Sequence, residues 1–463
     1  MTLVLRDYQV KALDDLRRAW SELRREGVQA PRLLLVSRTA TGKSVIAAEF
    51  LRAVVAKGRR ALFVVRDRVL LDQTSGHLDR VGVTDHGVIA AGHKRIRPGA
   101  AVQICSAQTL TAREAHPEAD VLMFDEAHGI LCESSKAIAD AYPEATILGL
   151  TATPVRGDGK PLGVPYGVFQ RLIQVEVTFA QLVKQGALVD VDVIAPVGAA
   201  RQHLAAHPIE ALEQYGRGRR VVVFLRSIAQ AEELAEQALA RGFRAASVHG
   251  ESEDREDVLE RIGLPGDDPQ ALDVLTNCDL LKQGWDCWRV DTIVLARGCS
   301  SFSQYMQIAG RALRPVPPAL REFETKGRAL IVDLRGAVHK HGHPADDVEF
   351  ALEGKPVKSK DKQQLTQCKA CGAVYRRKPA CPLCGFQPEP KPIRSRVERA
   401  QLGNVKRRLD MNAAERAAAD EAKQRAYFDE LQRLAKLKSY KAGWVAYRFK
   451  AKFGRWPRFA REA

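Results

Sequence analysis

Residues 37–44 read SRTATGKS, and this stretch decides the fold of the domain that contains it. It is one residue short of the phosphate-loop pattern G-x-x-x-x-G-K-[ST], because Ser37 stands where the first glycine belongs. The apolar run RLLLV precedes it at residues 32–36, and VIAAEFLRAVV follows at residues 45–55 with helical spacing. A loop between a buried strand and the start of a helix is where phosphate binding is expected, so the stretch predicts an α/β domain with a nucleotide site.

Three residues of this loop have the expected chemistry. Gly42 can adopt the backbone angles of a tight turn, Lys43 can reach the β- and γ-phosphates, and the Ser44 hydroxyl can ligate Mg²⁺. The missing glycine weakens the pattern without removing that chemistry. An ordinary strand-to-helix turn is the alternative, since short motifs also occur by chance.

Two acids follow a second apolar run. Residues 121–124 read VLMF, and Asp125 and Glu126 come directly after them. At the end of a strand, Asp125 is placed to hold Mg²⁺, and Glu126 can orient or deprotonate an attacking water. The alternative is a solvated acidic turn, which the Gly-Lys-Ser turn upstream makes the weaker interpretation.

Short apolar runs alternate with helical stretches as far as residue 335, which is the pattern of parallel sheets covered by helices. A break near residues 196–218 separates two sets of predicted strands. The first set is at residues 33–36, 61–65, 102–106, 121–124 and 146–150, and the second is at residues 220–225, 245–249, 273–276, 292–296 and 329–332. The sequence therefore predicts two α/β domains of one architecture in tandem.

Charge is concentrated at one end of the 463-residue chain. The net charge is +16, and residues 391–463 hold 20 Lys or Arg against 8 Asp or Glu, a net +12. A basic appendage on a nearly neutral body points to a polyanionic partner, most simply nucleic acid. No run approaches the ~18 apolar residues of a membrane span, and the N-terminus lacks a signal-peptide pattern, so we expect a cytoplasmic protein without a membrane partner.

The nine cysteines divide into a cluster and single residues. The cluster has the spacing C-x2-C-x9-C-x2-C, which suits tetrahedral Zn²⁺ in a segment too small to fold without metal; its members are Cys368, Cys371, Cys381 and Cys384. We expect a structural site, and phosphate contact by the intervening residues 376–378 (RRK) is left open. The single cysteines are expected to be reduced core residues: Cys105, Cys132, Cys278, Cys287 and Cys299.

The C-terminal region is predicted to be helical over residues 412–437 and to interleave aromatic and basic residues over residues 438–457. Such a stretch can stack bases and bind phosphates. Alternatively, Trp444, Tyr447 and Phe453 form the core of a small helical cap. The sequence leaves these two interpretations open.

The order of these motifs resembles superfamily-2 helicases and translocases of the DEAH-box kind over about residues 1–335. The matching segments are LRDYQ (5–9), SRTATGKS (37–44), VVRDRVLLDQ (64–73), SAQTL (106–110), VLMFDEAH (121–128), TATP (151–154), DLLKQGWD (279–286) and QIAGRALR (307–314). That family tolerates loss of the first glycine of the phosphate loop, which implies that SRTATGKS works. Trp285 departs from the residues common at its position. A zinc-bearing extension after the motor further resembles RadD-like and phage-encoded relatives.

The resemblance implies roles for individual residues. The implied catalytic residues are Lys43, Asp125, Glu126, Arg311 and Arg314, with the two arginines acting when the second domain closes on the first. Ser44 and Asp125 are implied magnesium ligands. The implied ATP contacts are Arg6, Gln9 (to adenine), Thr39, Ala40, Thr41, Gly42, Lys43, Ser44, Gly284, Asp286 and Gln307. The implied nucleic-acid contacts are Arg68, Gln108, Thr109 and Arg226.

Together these expectations describe an α/β protein with two tandem RecA-like parallel-sheet domains, a small zinc ribbon and a basic helical C-terminal region. The predicted boundaries are 1–196, 197–340, a linker at 341–365, the ribbon at 366–388 and the tail at 389–463. The expected function is an ATP-dependent DNA helicase or translocase in replication, recombination or repair, using ATP, Mg²⁺ and Zn²⁺. The alternatives are the motor subunit of a restriction system, an RNA helicase, and a nucleic-acid-binding protein with an inactive motor, which the complete set of motif residues disfavours.

Overall fold

The computed structural model describes residues 5–38, 41–65, 69–113, 116–129, 133–156, 159–196, 207–278, 281, 285, 287–353, 356–357, 365–376, 378–387, 413–437, 440 and 443–457. The chain divides into two compact units, Met1–Gln387 and Pro388–Ala463. In the described part of the chain, no helix is both long enough and apolar enough to cross a membrane.

The first sheet has seven strands, and every neighbouring pair is parallel. Its strands are β1 (Arg32–Val36), β2 (Ala61–Val65), β3 (His86–Ile89), β4 (Val102–Ser106), β5 (Val121–Phe124), β6 (Thr146–Thr151) and β7 (Arg171–Gln174). They lie in the order β3-β4-β2-β5-β6-β1-β7. The sheet is covered by α1 (Asp7–Arg25), α2 (Lys43–Val55), α3 (Val69–Arg80), α4 (Ala107–Thr111), α5 (Glu133–Asp140) and α6 (Phe179–Lys184), with a short 3₁₀ turn at Ala127–Gly129.

The second sheet has six strands, again all parallel. Its strands are β8 (Val191–Ile194), β9 (Val221–Leu225), β10 (Ala245–Val248), β11 (Val274–Cys278), β12 (Thr292–Leu295) and β13 (Ala329–Asp333). They lie in the order β10-β11-β9-β12-β13-β8. The helices of this domain are α7 (Pro208–Tyr215), α8 (Ile228–Ala240), α9 (Arg255–Arg261), α10 (Phe302–Ala312) and α11 (Ala337–His341), with a 3₁₀ turn at Pro318–Leu320.

The predicted fold class is confirmed: the chain contains two tandem parallel-sheet α/β domains. All ten predicted strands are present to within two residues at either end. Three further strands, β3, β7 and β8, were not predicted, and each lies at an edge of its sheet. Edge strands have one open side and tolerate polar residues, so HGVI, RLIQ and VDVI lack the continuous apolar run of a central strand.

The second sheet begins before the predicted boundary at residue 196. Strand β8 pairs with β13, so residues 191–194 belong to the second sheet although they precede the break in the sequence. The predicted linker also contains structure, because β14 (Glu349–Phe350) pairs with β15 (Pro356–Val357), and Phe350 and Leu352 pack on the core of the first domain. Within the predicted break near residues 196–218, residues 197–206 lie outside the described residues.

The cysteine-bearing segment docks on the second domain. Strands β16 (Leu365–Gln367) and β17 (Val374–Arg376) form an antiparallel pair. Ala195 N–H donates to Gly372 O at 3.0 Å, and Gln367 Nε2 donates to Ala195 O at 2.7 Å. These bonds occupy the open edge of the second sheet beside β8.

The described part of the second unit is a helical pair. Its two helices are Ala413–Leu437 and Trp444–Phe453, and its core consists of the buried Phe428, Leu431 and Phe449. Trp444 and Phe453 are half-buried against this core, whereas Tyr447 is exposed. Of the three aromatics considered for a helical core, two therefore take part in it and Tyr447 does not.

Candidate functional site

The loop between β1 and α2 has the geometry of a phosphate loop without its first glycine. Ser37 is buried, its N–H donates to Thr151 O at 2.9 Å, and its hydroxyl contacts the hydroxyl of Thr41. Among the described residues, Glu126 is the single non-glycine with a positive φ, so the backbone at Ser37 does not require glycine. A serine is therefore compatible with this position, and its hydroxyl ties the two ends of the loop together.

Gly42 is the glycine that the loop needs. It has φ +79° at the start of α2, and a Cβ there would collide with Nε2 of Gln9. The Gln9 side chain is buried; its Nε2 donates to Thr41 O at 3.1 Å, and its Oε1 accepts from Arg6 N at 3.0 Å. Gln9 thus braces the loop, and its predicted contact with adenine stays a prediction. Thr39 and Ala40 lie outside the described residues.

Lys43 faces the two acids that follow β5. Its Nζ lies 2.8 Å from Asp125 Oδ1 and 2.8 Å from Glu126 Oε1. Burial alone would lower the pKa of Lys43, but the charges of Asp125 and Glu126 outweigh burial and hold the pKa above its usual value. Burial would likewise raise the pKa of Glu126, but Lys43 and then His128 hold it well below its usual range. The lysine is therefore a cation and Glu126 an anion at neutral pH.

Glu126 has an unusual backbone conformation. Its φ is +48°, in the left-handed region that side chains other than glycine rarely adopt. Such conformations persist where surrounding contacts fix them, and they cluster at functional sites. Here the contacts are Lys43 on one carboxylate oxygen and His128, whose Nδ1 lies 3.4 Å from the other. The sequence predicted the acid at this position but not its strained backbone.

Helix α10 of the second domain brings two arginines to the same cleft. Arg311 and Arg314 both donate to the carbonyl of Trp285, Arg314 at 3.4 Å. Burial lowers the pKa of each guanidinium to about 10, and the negative charge of Glu126 partly opposes this at Arg311. Both groups remain charged at neutral pH.

These side chains line one cleft of about 310 Å³ between the two domains. The predicted site residues in its wall are Lys43, Ser44, Asp125, Glu126, Gln307, Arg311 and Arg314. The hydroxyl of Ser44 and the carboxylate of Asp125 are hard oxygen donors of the kind that Mg²⁺ prefers, so the donor set fits this ion. Gly284 and Asp286, predicted to contact ATP from the second domain, lie outside the described residues.

The cleft also includes residues that the sequence did not single out. One face of α3 contributes Gln73, Thr74, His77 and Arg80. Burial lowers the pKa of His77, and the charge of Arg80 lowers it further, while a hydrogen bond with the backbone of Ser44 opposes both. These polar residues recur at a spacing of three or four on α3, the helix that follows β2. Such spacing places them on one face of the helix, and it is the sequence signal that could have identified them.

A hydrogen-bonded path leads to the second domain from His128, which lies beside Glu126. His128 Nδ1 lies 3.2 Å from Thr151 Oγ1, which accepts from Thr153 N at 3.1 Å. Thr153 Oγ1 then donates to Ser303 Oγ at 2.6 Å, on the first turn of α10. The resemblance implied that residues 151–154 couple two sites, but it gave no indication of Ser303.

A segment after α11 fastens the phosphate loop from outside. We call residues 343–352 the strap. The guanidinium of Arg38, a loop residue, donates to Pro344 O at 3.1 Å, to Asp346 O at 2.6 Å and to Asp347 Oδ1 at 2.9 Å. Gln174 on β7 bonds the strap backbone in both directions, donating to Val348 O at 2.7 Å and accepting from Phe350 N at 3.0 Å.

The strap also contacts the cysteine-bearing segment. Arg376 on β17 donates through Nε and Nη2 to Asp346 Oδ1 at 3.0 and 2.9 Å. Asp346 therefore lies between the ribbon arginine and Arg38, whose guanidinium bonds its backbone carbonyl. Residues 343–352 of the predicted linker (341–365) therefore contact the phosphate loop, strand β7 and the cysteine-bearing segment.

Of the predicted nucleic-acid residues, Gln108, Thr109 and Arg226 do not line the cleft. Gln108 and Thr109 are on α4, and Ser106 caps this helix by accepting from Thr109 N at 3.2 Å. Arg226 is exposed after β9 and lines a cavity of about 570 Å³ with Arg335, His339 and Lys340. Burial lowers the pKa of Arg335, and the charge of Arg226 adds to this, as expected where two cations converge. Arg68 lies outside the described residues.

The four predicted zinc ligands come together. The sulfurs of Cys368, Cys371, Cys381 and Cys384 all lie within 4.8 Å of one another. The distances Cys368–Cys384 and Cys371–Cys381 are both 3.7 Å between sulfurs. Four Zn–S bonds of about 2.3 Å in a tetrahedron give sulfur–sulfur edges of about 3.8 Å, so the arrangement fits Zn²⁺. Of the single cysteines, Cys105, Cys287 and Cys299 are buried and Cys278 is half-buried, while Cys132 lies outside the described residues.

Two family models match consecutive parts of the chain. The model described as "Type III restriction enzyme, res subunit" matches residues 2–156, and the "Helicase conserved C-terminal domain" matches residues 205–316. The first range contains Lys43, Asp125 and Glu126 on one side of the cleft. The second range contains Arg311 and Arg314 on the other side.

Curated relatives include a phage protein and an archaeal translocase. The "51.5 kDa protein" of Lactococcus phage (isolate 7-9) is 23% identical over 393 residues, covering 79% of this chain and 80% of that protein. The "DNA 3'-5' translocase XPB2" of Sulfurisphaera tokodaii is 31% identical over 156 residues, covering 34% of this chain and 32% of that protein.

Two solved structures share the fold. A fragment of a putative HsdR subunit of a type I restriction enzyme from Vibrio vulnificus YJ016 has a TM-score of 0.55 at 21% identity, covering 77% of this chain and 70% of that one. The ATP-dependent type ISP restriction-modification enzyme LlaBIII, bound to DNA, has a TM-score of 0.53 at 15% identity, covering 72% of this chain and 28% of that one. The chain is therefore superfamily-2 helicase-like: its first domain matches a restriction-enzyme subunit model and its second a helicase model, about a third of its length is similar to a DNA translocase, and it shares its fold with the two restriction-enzyme structures.

Proposed function

We propose that this chain is a DNA-dependent ATPase of helicase superfamily 2 that moves along or unwinds DNA. The observation that carries the proposal is the composition of the cleft. Lys43, Asp125 and Glu126 from the first domain and Arg311 and Arg314 from the second line the same space. A cation, a magnesium ligand, a base and two further cations are the groups that phosphoryl transfer to water requires.

Each group has one task in this scheme. Bound ATP and Mg²⁺ would supply the phosphoanhydride bond and a charge-neutralising ion. Lys43 would bind the phosphate oxygens and so give up its contact with Glu126 Oε1. Ser44 and Asp125 would ligate the ion. Glu126, anionic because its pKa is held low, would orient the water and take its proton.

The arginines would complete the site from the second domain. Negative charge grows on the γ-phosphate oxygens as the bond breaks, and a guanidinium from a second body stabilises it by ~10³–10⁵ in rate in related hydrolases. The path through Thr153 and Ser303 ends on the helix that carries both arginines. Changes at Glu126 during hydrolysis would therefore be transmitted to the packing of the two domains.

DNA is the favoured nucleic acid. The translocase relative acts on DNA by its name, and the LlaBIII structure contains DNA. We propose that Gln108, Thr109 and Arg226 contact the backbone, with Arg335 and Lys340 beside Arg226 adding positive charge. Phosphate contacts of this kind position a strand without reading its sequence, as a motor requires.

Within superfamily 2 we place the chain with DEAH-box, RadD-like helicases working in replication, recombination or repair in the cytoplasm. The support is the sequence DEAH at residues 125–128 and the order of motor, cysteine cluster and basic tail. Zn²⁺ held by the four cysteines would fix the ribbon that bonds β8 and the strap. Its role would be structural, since four thiolates leave no open position.

A second candidate is the motor subunit of a restriction system. It is favoured by the family model over residues 2–156 and by the two restriction-enzyme structures with the same fold. The two candidates differ in what activates hydrolysis: a self-sufficient helicase responds to DNA alone, whereas a restriction motor needs its partner subunits.

The test is ATP hydrolysis by the purified chain with single-stranded, duplex and forked DNA and with RNA of matched length and sequence. Stimulation by one or more DNA forms, with weaker stimulation by RNA, is expected. Stronger stimulation by RNA would favour an RNA helicase. A chain that binds DNA but whose hydrolysis no nucleic acid stimulates would contradict the self-sufficient motor.

A further inference from the structure

The helix Trp444–Phe453 in the second unit uses one face for packing. Val445, Phe449 and Phe453 recur every four residues and face the core that contains Phe428 and Leu431 of the preceding helix. Phe428 and Phe449 meet edge to face, with ring centroids 5.9 Å apart. This face fixes the helical pair and is not available to a partner.

Aromatic rings also occur on the other side, in the open. Tyr447 is 69% exposed and Trp456 is 48% exposed, and their rings meet edge to face with centroids 5.2 Å apart. Tyr440, 43% exposed, stacks on Trp444 at 4.3 Å. Exposed aromatic side chains held in contact with one another are costly to solvate and indicate a binding surface.

The segment that carries these rings is basic. Residues 440–457 contain five Lys or Arg and no Asp or Glu. Lys450 Nζ lies 4.3 Å from the centroid of the Trp456 ring, and Arg448 lies over the ring of Trp444 at 5.6 Å. Lys450 therefore lies beside an exposed ring, and Arg448 lies over the half-buried ring of Trp444, one helical turn from it.

The matching ligand offers flat rings and regularly spaced negative charges. We propose that Tyr447, Trp456, Arg448 and Lys450 form a binding site for single-stranded nucleic acid, with bases stacking on the two rings and phosphates contacting the two cations. Duplex bases are already stacked on each other, so an unpaired strand fits better. This proposal rests on the proposed motor function and adds a second contact between the chain and the nucleic acid along which it moves.

The proposal is tested on the full chain without nucleotide, using a fluorescein-labelled oligothymidylate and a duplex of the same length. Replacing one stacking ring is expected to weaken oligothymidylate binding about five- to 150-fold. Tyr447→Ala and Trp456→Ala should each do so, whereas Tyr447→Phe and Trp456→Phe should retain most of the affinity because a ring remains. Phe323→Ala removes an 81% exposed ring from the first unit and is the matched control.

Two further measurements are specific to this site. Arg448→Gln and Lys450→Gln should each make the log–log dependence of binding on salt shallower by roughly 0.7. Ultraviolet crosslinking of oligothymidylate to the wild-type chain, followed by peptide mapping, should give adducts at Tyr447 or Trp456. Adducts confined to the first unit would overturn the site.

Affinity within twofold of wild type in Tyr447→Ala/Trp456→Ala, with an unchanged salt slope, would overturn the proposal. So would equal losses in the Ala and Phe variants, a preference for duplex, or binding of the surface to anionic lipid vesicles with oligothymidylate affinity intact. None of these assays uses ATP, so their results test the binding site independently of the motor function. A lack of nucleic-acid-stimulated hydrolysis would contradict the motor function and not this site.

Discussion

Thr153 of the first domain donates a hydrogen bond to Ser303 of the second at 2.6 Å, and both side chains are buried. Thr153 follows the strand end that contacts His128, and Ser303 begins the helix that carries Arg311 and Arg314. This bond therefore connects the two domains that form the cleft, although neither residue lines the cleft.

Removing the bond should uncouple the domains. Thr153→Val and Ser303→Ala each leave one buried hydroxyl without its partner, at a cost of about 1–3 kcal/mol. We expect DNA stimulation of hydrolysis to fall several-fold while ATP affinity changes little, because neither residue touches the phosphates. The double variant should be no worse than the single ones in a mutant cycle; additive losses would mean that the hydroxyls act separately.

The phosphate site predicts two different phenotypes. Lys43→Ala should weaken ATP binding and abolish hydrolysis, because the lysine is the cation of the phosphate loop and faces Asp125 and Glu126 in the cleft. Glu126→Gln should bind ATP yet hydrolyse it very slowly, since the isosteric amide cannot take a proton from water. Equilibrium nucleotide binding and single-turnover hydrolysis separate the two, and normal turnover by Glu126→Gln would refute its role as the base.

The strap predicts an effect on ATP from outside the cleft. Asp347 Oδ1 accepts from both Arg38 Nη2 and Phe179 N, so Asp347→Ala should remove a charged acceptor of the phosphate-loop arginine and loosen its position. We expect KM for ATP to rise by about tenfold, equivalent to about 1.4 kcal/mol, with kcat and DNA affinity nearly unchanged. Arg38→Ala should give the same rise and should not add to it.

A matched control is available for the strap. Arg171→Met removes the exposed Arg171–Glu26 ion pair at 2.8 Å in the same domain and should leave KM at the wild-type value. A fall in melting temperature with an unchanged KM in Asp347→Ala would show that the strap stabilises the fold without positioning the loop.

Lys326 predicts a pH dependence of stability. Its Nζ donates to three carbonyls, those of Trp288, Val290 and Arg314, at 2.6–2.7 Å, and burial lowers its pKa to about 8. The ordinary value is 10.5. Between about pH 8 and 10.5 the unfolded chain holds a proton that the folded chain has lost, so this group's contribution to stability rises with pH across that window and is flat below it.

The measurement is the free energy of unfolding of the wild type and Lys326→Met at pH 7.5 and 9.5. We expect the wild type to gain about 1–3 kcal/mol relative to the variant between the two pH values. A difference between the two proteins that is independent of pH would show that Lys326 has an ordinary pKa in the folded state.

The sequence predicted the central strands and the edge strand β10, and it missed the other three edge strands for a physical reason. Central parallel strands are buried on both faces and read as continuous apolar runs, as in VVVFL of β9. The three missed strands lie at sheet edges, where fewer side chains have to be buried. Asp192 in β8 is an example of a polar residue that an edge strand accepts. Because β8 was missed, the domain boundary was placed after it.

The site was predictable where the chemistry is local in sequence. Lys43, Ser44, Asp125 and Glu126 follow strands and carry recognisable patterns, and they meet because parallel strands end at one edge of the sheet. Ser303 and Asp347 have no such pattern, since their roles depend on contacts across 150 residues or more of chain. The contact of Gln9 with adenine stays a prediction, and the sequence did not indicate that its amide also braces the loop.

The central claim is that one nucleotide site is built by both domains. Its most direct test is single-turnover hydrolysis of ATP by Arg311→Ala and Arg314→Ala at saturating ATP and DNA, with nucleotide affinity measured in parallel. Both variants should retain most of their affinity, because the first domain holds the phosphates, and at least one should lose about a hundredfold or more in rate. Hydrolysis at the wild-type rate by both variants would contradict the account.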